Sequence, residues 1–284
     1  TRNFIMGVAG ITTALVVGHA ITAIGSPLGY ELAFLAAVAI GLTSMFFFSK
    51  IRHHNQEEGT VRTEHSTLAQ IFHSVKGQKA FILFCIFTAS WNFSLNVAGP
   101  FFSVYMVDSL KMTAATIGVV TVANTVANLL VQRRIGALSD KWGNRNLAII
   151  TLFLIPIIPL VWGLWVKTAW HLILIESLSG ALWGAYNLVS FNILLIQTPP
   201  EQRARFSALY QIVVTLSLAG GAAVGSLLFS AIAFKGVAVL SAIGRWVSGL
   251  LFLILVREVA PPSLSALDEP EEQLDNPLDD NLNQ

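Results

Sequence analysis

Two charged side chains that could do chemistry lie inside long apolar runs. Glu176 falls in the run 170–197 and Arg245 in the run 237–256, each about two helical turns from one end of its run. Because a charge at membrane depth is costly, such residues usually face a cavity or another polar group. Glu176 could bind a solute or carry a proton. It could equally be a structural partner of Arg245 or of an interfacial water network.

Aromatic and amide side chains in the apolar runs form a second group of candidates. They are Trp91, Asn92, Asn96 and Tyr105 in the run 80–110, and Trp183, Tyr186 and Asn187 in the run 170–197. Asn92 and Asn96 are four residues apart and therefore share one face of a helix. Such groups offer stacking and hydrogen bonds to a solute, or hydrogen bonds between helices. A further series at four-residue spacing, Asn124, Asn128 and Gln132, favours packing.

The composition excludes most soluble classes. Charged residues make up 12% of the 284 and hydrophobic residues 54%, with a mean hydropathy of +0.67. A soluble domain carries about 25% charged residues, so this chain has too few to cover a water-facing surface. The net charge of +1 gives no indication of a nucleic-acid partner. Cys85 is the single cysteine, so neither an internal disulfide nor a thiolate metal site is expected.

The apolar runs must position these residues, and they are long enough to be membrane spans. A span needs roughly 20 mostly apolar residues. Eight are predicted, lettered A to H: 4–26, 29–49, 80–110, 113–135, 147–166, 170–197, 206–234 and 237–256. The sequence thus predicts an all-α membrane protein with eight transmembrane helices. Pro100 should kink span C, and the G-x-x-x-G pair Gly221 and Gly225 predicts close helix packing.

The distribution of lysine and arginine predicts the orientation. Of the 17 such residues, thirteen fall on one side of the alternating spans, three on the other, and Arg245 within span H. Since positive loops stay in the cytoplasm, both termini are predicted to be cytoplasmic, in the plasma membrane (the inner membrane of a bacterium). Trp162, Trp165 and Trp170 cluster at the outer ends of spans E and F, which is typical of an interfacial aromatic belt.

A motif between spans D and E is the most informative stretch. It reads Gly136-Ala137-Leu138-Ser139-Asp140-Lys141-Trp142-Gly143-Asn144-Arg145. The glycines at 136 and 143 predict a tight turn and a close helix approach. Asp140 could cap a neighbouring helix or pair with an arginine, and Arg203 and Arg205 in the next loop on the same side are candidates. The other interpretation is an ordinary turn whose basic residues set topology.

This motif resembles the G-x-L-[AS]-D-[RK]-x-G-[RN]-[RK] loop of the major facilitator superfamily of secondary transporters. In that family the loop joins the second and third helices of each six-helix half, which is its position here after the long polar stretch. The resemblance implies helices five to twelve of a twelve-helix fold, with the first four absent. Residues 1–49 would be the last two helices of the N-terminal bundle, 50–79 a cytoplasmic central loop, 80–257 the C-terminal bundle, and 258–284 a disordered acidic tail.

The resemblance also implies roles for the candidates. The signature loop, with Gly136, Asp140, Lys141, Gly143, Arg145, Arg203 and Arg205, would be a gate latch. The first and fourth helices of a half line the central cavity, so the candidates in spans C and F would line it with Glu176. Span A lacks the Gly-Pro pair of the fifth helix of drug–proton antiporters, which disfavours that class.

The expected function is therefore secondary active transport of a small solute by alternating access between two bundles, efflux included. The expected partners are the lipid bilayer, the solute and a coupling proton or sodium ion. The sparse charge favours a neutral or amphiphilic solute, and the eight spans alone are not expected to transport. Two alternatives stay open: a non-transporting sensor or scaffold of the same fold, and a membrane-embedded enzyme. The latter lacks a catalytic or metal-ligating cluster, so no enzyme activity and no cofactor are predicted.

Overall fold

The computed structural model of the chain describes residues 2–50, 77–198 and 202–256, and no strand occurs among them. The helices are α1 (Arg2–Ile24), α2 (Leu28–Ser49), α3 (Lys79–Ala98), α4 (Phe101–Val104), α5 (Ala114–Trp142), α6 (Asn144–Leu154), α7 (Ile157–Leu164), α8 (Ala169–Ile196) and α9 (Arg203–Leu255). The segment 51–76, most of the predicted central loop, and the acidic tail lie outside the described residues, as do residues 199–201 next to Arg203.

Seven of the described helical segments are long and apolar enough to cross a membrane. The last of them, α9, has 53 residues. At 1.5 Å per residue it would measure about 80 Å, far more than the roughly 30 Å of a bilayer core. It divides at Ala233, whose backbone is non-helical (φ 53°, ψ −176°). Its arms, α9a (203–232) and α9b (234–255), correspond to spans G and H, so the predicted all-α membrane fold is confirmed.

Proline divides two of the other spans. Span C is interrupted at Gly99 and Pro100 between α3 and α4, and it ends in a π-helical turn, Tyr105–Ser109. Span E is interrupted between α6 and α7, where Pro156 precedes α7. A proline lacks the backbone N–H and its ring clashes with the preceding turn, so it ends or kinks a helix. The kink predicted at Pro100 is therefore confirmed.

Small residues let the helices approach closely. A Cβ atom added at Gly221 would overlap the carbonyl oxygen of Phe93, and one at Gly225 that of Val97, so α9a lies directly on the α3 backbone. The close packing predicted from this G-x-x-x-G pair is confirmed. In a bilayer, where lipid is as apolar as leucine, such backbone contact is a main source of helix association.

The buried side chains form two clusters at opposite ends of the bundle. One contains Phe81, Phe84, Phe87 and Phe252, near the signature motif. The other contains Trp162, Leu172, Phe234 and Val237, at the far end. α1 packs on α5, where Ala115 N–H donates to Thr22 Oγ1 (2.9 Å), and α2 packs on α1 with only Gly29 buried. The space between the clusters is where the polar candidates meet.

Candidate functional site

Two adjoining cavities lie inside the bundle formed by α3 to α9. The proximal cavity, of about 300 Å³, is nearer the signature motif. The distal cavity, of about 480 Å³, lies toward the opposite end. Leu95 and Trp183 line both cavities, so they are neighbours along one path through the bundle. Both volumes are of the size that holds small ligands.

The proximal cavity gathers most of the residues predicted to bind solute. Its walls come from α3, α8 and α9a, and they include Trp91, Asn92, Trp183, Tyr186 and Asn187. The Trp91 and Tyr186 rings lie 5.3 Å apart between centroids, and the Trp183 ring meets Tyr186 edge-on at 5.6 Å. Trp91 Nε1 is buried without a hydrogen-bond partner among the described residues. The site therefore offers an aromatic wall with an unused donor.

Asn92 and Asn96 occupy one helix face but line different cavities. Asn92 Nδ2 donates to the Thr88 carbonyl one turn back at 2.8 Å, in the wall of the proximal cavity. Asn96 lines the distal cavity, and its Nδ2 donates to the Leu218 carbonyl of α9a at 2.8 Å. In both residues the amide nitrogen is engaged by backbone, so the side-chain oxygen remains available as an acceptor.

The distal cavity is lined by Glu176 and Arg245, the two charged candidates from the sequence. Glu176 accepts hydrogen bonds from Asn124 Nδ2 at 2.7 Å and from Trp162 Nε1 at 3.2 Å. Arg245 is 4% exposed, and its Nη2 donates to the Leu95 carbonyl at 3.3 Å. The two residues line the same cavity but have different hydrogen-bond partners, so Arg245 is not the structural partner of Glu176 in this conformation.

Tyr105 lies away from both cavities. Its ring stacks on Phe234 at a centroid distance of 4.3 Å, and its hydroxyl donates to the Val166 carbonyl at 3.4 Å. It belongs to the packed aromatic cluster at the distal end, with Trp162 as a neighbour. The π-helical turn in which Tyr105 lies follows the Pro100 break, so extrapolating a single straight helix misplaces its side chain.

Two sequence interpretations need correction. Trp162 is 2% exposed and is a hydrogen-bond donor to Glu176, not part of an interfacial belt, whereas Trp165 and Trp170 are 52% and 74% exposed. Span D reaches Trp142, so Gly136 is helical, and a Cβ there would meet nothing within 4 Å. The tight turn is made by Gly143 alone, whose φ of 79° favours glycine.

The signature motif is anchored by Asn144 and Arg145. Asn144 Oδ1 accepts from Ser139 Oγ at 2.6 Å and from Asn192 Nδ2 of α8 at 3.0 Å. Arg145 donates to the Val256 carbonyl at 3.0 Å and the Leu253 carbonyl at 3.2 Å. These carbonyls end α9b and lack helical partners, so a cation there is favoured. The motif thus ties α5 and α6 to α8 and α9b.

The remaining residues of the predicted latch are apart from this network. Asp140, Lys141, Arg203 and Arg205 are exposed, and among the residues that the structure describes Asp140 has no hydrogen bond or ion pair. The sequence had given no role to Trp162 as a site residue, and it assigned Asn124 to packing. The series of amides at four-residue spacing was the sequence signal that could have identified Asn124 as a site residue. The next two members of the series, Asn128 and Gln132, bond to each other at 2.8 Å, as expected of packing residues.

The fold and the site together define a multi-span helical membrane protein whose bundle holds cavities lined by apolar, aromatic and a few polar side chains. A family model of the Major Facilitator Superfamily matches residues 82–278, and the chain belongs to this superfamily of membrane transporters. The match begins within α3 and covers the helices that enclose both cavities. No curated protein matches the chain. At the level of the family the chain is a transporter and not an enzyme.

Proposed function

We propose that the chain is a secondary active transporter that moves a small solute by alternating access, with the two cavities as the solute path. The observation that carries the proposal is their shared boundary. Trp183 and Leu95 line both cavities, each of which has polar side chains in a largely apolar wall, so a solute can pass from one cavity to the other if these two side chains rearrange. Binding near the middle of a bundle is the usual arrangement in transporters.

The residues proposed to contact the solute fall into two sets. Trp91, Asn92, Trp183, Tyr186 and Asn187 serve the proximal cavity, and Asn96 and Glu176 serve the distal one. Aromatic faces offer stacking and apolar contact, and the amide oxygens accept hydrogen bonds. Tyr105 is proposed to shape the distal wall from behind, through Trp162.

Uptake into vesicles that contain the protein at its full natural length tests this function. A panel of labelled small solutes should include at least one whose accumulation needs an imposed proton or sodium gradient. Trp183→Ala should lower the uptake of that solute at least about tenfold, because Trp183 lines both cavities and its ring supplies a large contact area. Trp170→Ala removes the same side chain at a 74% exposed position and should leave uptake unchanged. Specific solute binding with no uptake under any gradient would instead favour a sensor.

We propose further that Asp140 is a latch that engages an arginine in a conformation other than this one. Asp140 is exposed in this structure, and the exposed Arg203 and Arg205 begin α9a at the same end of the bundle. Asp140→Asn should reduce uptake while expression stays intact, and Asp108→Asn, also exposed but at the opposite end of the bundle, is the matched control. Normal uptake by the Asp140 variant would refute the latch.

The proposed orientation places both termini in the cytoplasm of a cell whose plasma membrane holds the protein. The charge asymmetry of the loops supports it. Cysteine introduced at Lys167, between α7 and α8, should react with an impermeant thiol reagent in intact cells, and cysteine at Lys141 should not. The Cys85→Ser background removes the single native thiol. The opposite labelling pattern would reverse the topology.

A further inference from the structure

The distal cavity has one acid and one base on its walls, and these are the charged residues among those that line it. Glu176 comes from α8 and Arg245 from α9b. Glu176 bonds to Asn124 and Trp162, whereas Arg245 bonds to the Leu95 carbonyl, so the two side chains do not pair with each other in this structure. A charge buried in a bundle is costly unless an opposite charge or several hydrogen bonds compensate it. The charge of each of these two side chains is therefore only partly compensated by the protein, and a bound solute of opposite charge can complete the compensation.

The Arg245 wall is a donor surface. Arg245 is 4% exposed, and its one hydrogen bond among the described residues is the 3.3 Å contact from Nη2 to the Leu95 carbonyl. Its Nε is buried with no partner among the described residues. A guanidinium has five N–H donors in a planar fork, which matches the two oxygens of a carboxylate. An anionic group at this wall would use donors that the protein leaves unpaired.

The Glu176 wall is an acceptor surface. Each carboxylate oxygen accepts one hydrogen bond, from Asn124 or from Trp162, whereas a carboxylate can accept about four in total. Asn124 donates through its nitrogen, which leaves its oxygen as an acceptor. Thr121, also in the wall, donates its hydroxyl proton to the Ile117 carbonyl at 2.9 Å and can accept in turn. These acceptors suit an ammonium group, which has three donors and no acceptor.

We infer that the distal cavity binds a small zwitterion that carries a carboxylate and an ammonium group, with the carboxylate at Arg245 and the ammonium at Glu176. A cationic solute would leave the charge of Arg245 uncompensated, and an anionic solute would leave that of Glu176 uncompensated. An uncharged solute would compensate neither charge. A zwitterion compensates both and is neutral overall, which agrees with the neutral solute expected from the sparse charge. Phe102, Trp162 and Trp183 supply an apolar wall for the rest of the solute. The inference rests on the proposed function, since it takes the cavity as the solute site.

Matched triplets of ligands test this assignment in the purified protein. L-Leucine has both charges, L-leucinamide only the ammonium, and N-acetyl-L-leucine only the carboxylate; glycine, phenylalanine and proline give equivalent triplets. Binding is measured as thermal stabilisation at millimolar ligand. At least one zwitterion should stabilise the protein, and its two single-charge relatives should each bind about tenfold or more weakly. If no zwitterion in the panel binds, or if a single-charge relative binds as tightly, the assignment is wrong.

Variants assign the two walls. Arg245→Gln should weaken zwitterion binding about tenfold to hundredfold, because the loss of a hydrogen bond to a charged group changes the dissociation constant by that factor. The variant should also show a smaller difference in affinity between leucine and leucinamide, which lacks the carboxylate. Glu176→Gln should instead show a smaller difference in affinity between leucine and N-acetyl-leucine, which lacks the ammonium group. Arg134→Gln and Glu31→Gln make the same chemical changes at exposed positions and should bind as the unmodified protein does. Unchanged binding in both cavity variants would overturn the inference.

Two further readouts keep the inference separate from folding and from transport. If Arg245→Gln fails to fold, as its own melting curve would reveal, the triplet comparison in the unmodified protein still decides. Zwitterion binding without uptake would leave the inference standing and refute the transport proposal. Uptake of another solute, with no zwitterion binding, would support the transport proposal and refute the inference.

Discussion

Gly221 and Gly225 form a glycine seam, along which the α9a backbone lies directly on that of α3, and substitutions in it can be compared with one at the adjacent Gly220. Gly221→Ala would place a Cβ against the Phe93 carbonyl and 3.2 Å from the Asn96 Cβ, whereas Gly220→Ala would place one 3.6 Å from the Phe93 ring, an ordinary contact. The obstacle at Gly221 is backbone and cannot rotate away, so the helices must separate. The adjacent glycine gains the same methyl group in the same helix without that obstacle.

The size of the difference can be worked from these contacts. Overpacking a tight contact costs about 1–3 kcal/mol, and separating the helices also weakens the Asn96–Leu218 hydrogen bond, worth about 0.6–1.7 kcal/mol in a membrane. The helix-propensity gain of alanine over glycine, about 1 kcal/mol, applies to both variants and cancels. Gly221→Ala should therefore be about 2–4 kcal/mol less stable than Gly220→Ala, which corresponds to roughly 5–15 °C in melting temperature.

Intrinsic tryptophan fluorescence of the detergent-purified protein during heating measures this gap, since the chain has seven tryptophans. Gly220→Ala should melt at or slightly above the unmodified protein, and Gly221→Ala well below it. Gly225→Ala, which meets the Val97 carbonyl, should behave as Gly221→Ala does. Equal melting temperatures for all three variants would refute the reasoning, because backbone contact would then not limit the approach of the two helices.

Three further predictions concern the signature motif and the Glu176 network. Gly143→Ala should lower the melting temperature, because φ 79° with ψ 149° is a conformation that glycine adopts freely and that costs an L-residue about 1–3 kcal/mol. Gly136→Ala meets open space and should raise or preserve the melting temperature, so equal effects of the two substitutions would contradict the single-residue turn. Arg145→Gln should destabilise the protein by about 1–3 kcal/mol, because it removes the hydrogen bonds to the two carbonyls at the end of α9b. The same melting curve measures this change, and an unchanged melting temperature would mean that other contacts hold the end of α9b. Trp162→Phe keeps an aromatic ring, though a smaller one, and removes the N–H donor to Glu176, so ligand binding in the distal cavity should change more than stability does. A fall in stability alone would assign Trp162 to packing.

The spans, their breaks and the glycine seam could be predicted because each is a local signal. Length and apolarity define a span, proline removes a donor, and two glycines four residues apart fall on one helix face. The turn between spans G and H is different. The chain reverses at Ala233, with a positive φ that is uncommon for alanine, two residues before the turn predicted at Lys235 and Gly236. No residue preference marks that position.

Side-chain partners across the bundle could not be predicted because they depend on how helices distant in sequence are rotated against each other. Asn124 and Glu176 are 52 residues apart, and Arg245 bonds to a backbone carbonyl 150 residues away. Trp162 shows the same limit: its position at the end of an apolar run is equally compatible with a membrane interface and with a buried donor. Only the packing of α7 against its neighbours distinguishes the two.

The glycine contacts and the polar contacts, which the sequence presents as separate signals, are one feature of the packing. Gly180 in α8 lies against the backbone of Asn124, and one turn earlier Glu176 receives the Asn124 side chain. Gly221 in α9a lies against Phe93 and Asn96, and Asn96 bonds to Leu218. In each case a residue without a side chain brings the partner backbone close enough for an amide to reach across. The seams therefore position the cavity walls, so a methyl group added at Gly221 should disturb solute binding as well as stability, while one added at Gly220 should disturb neither.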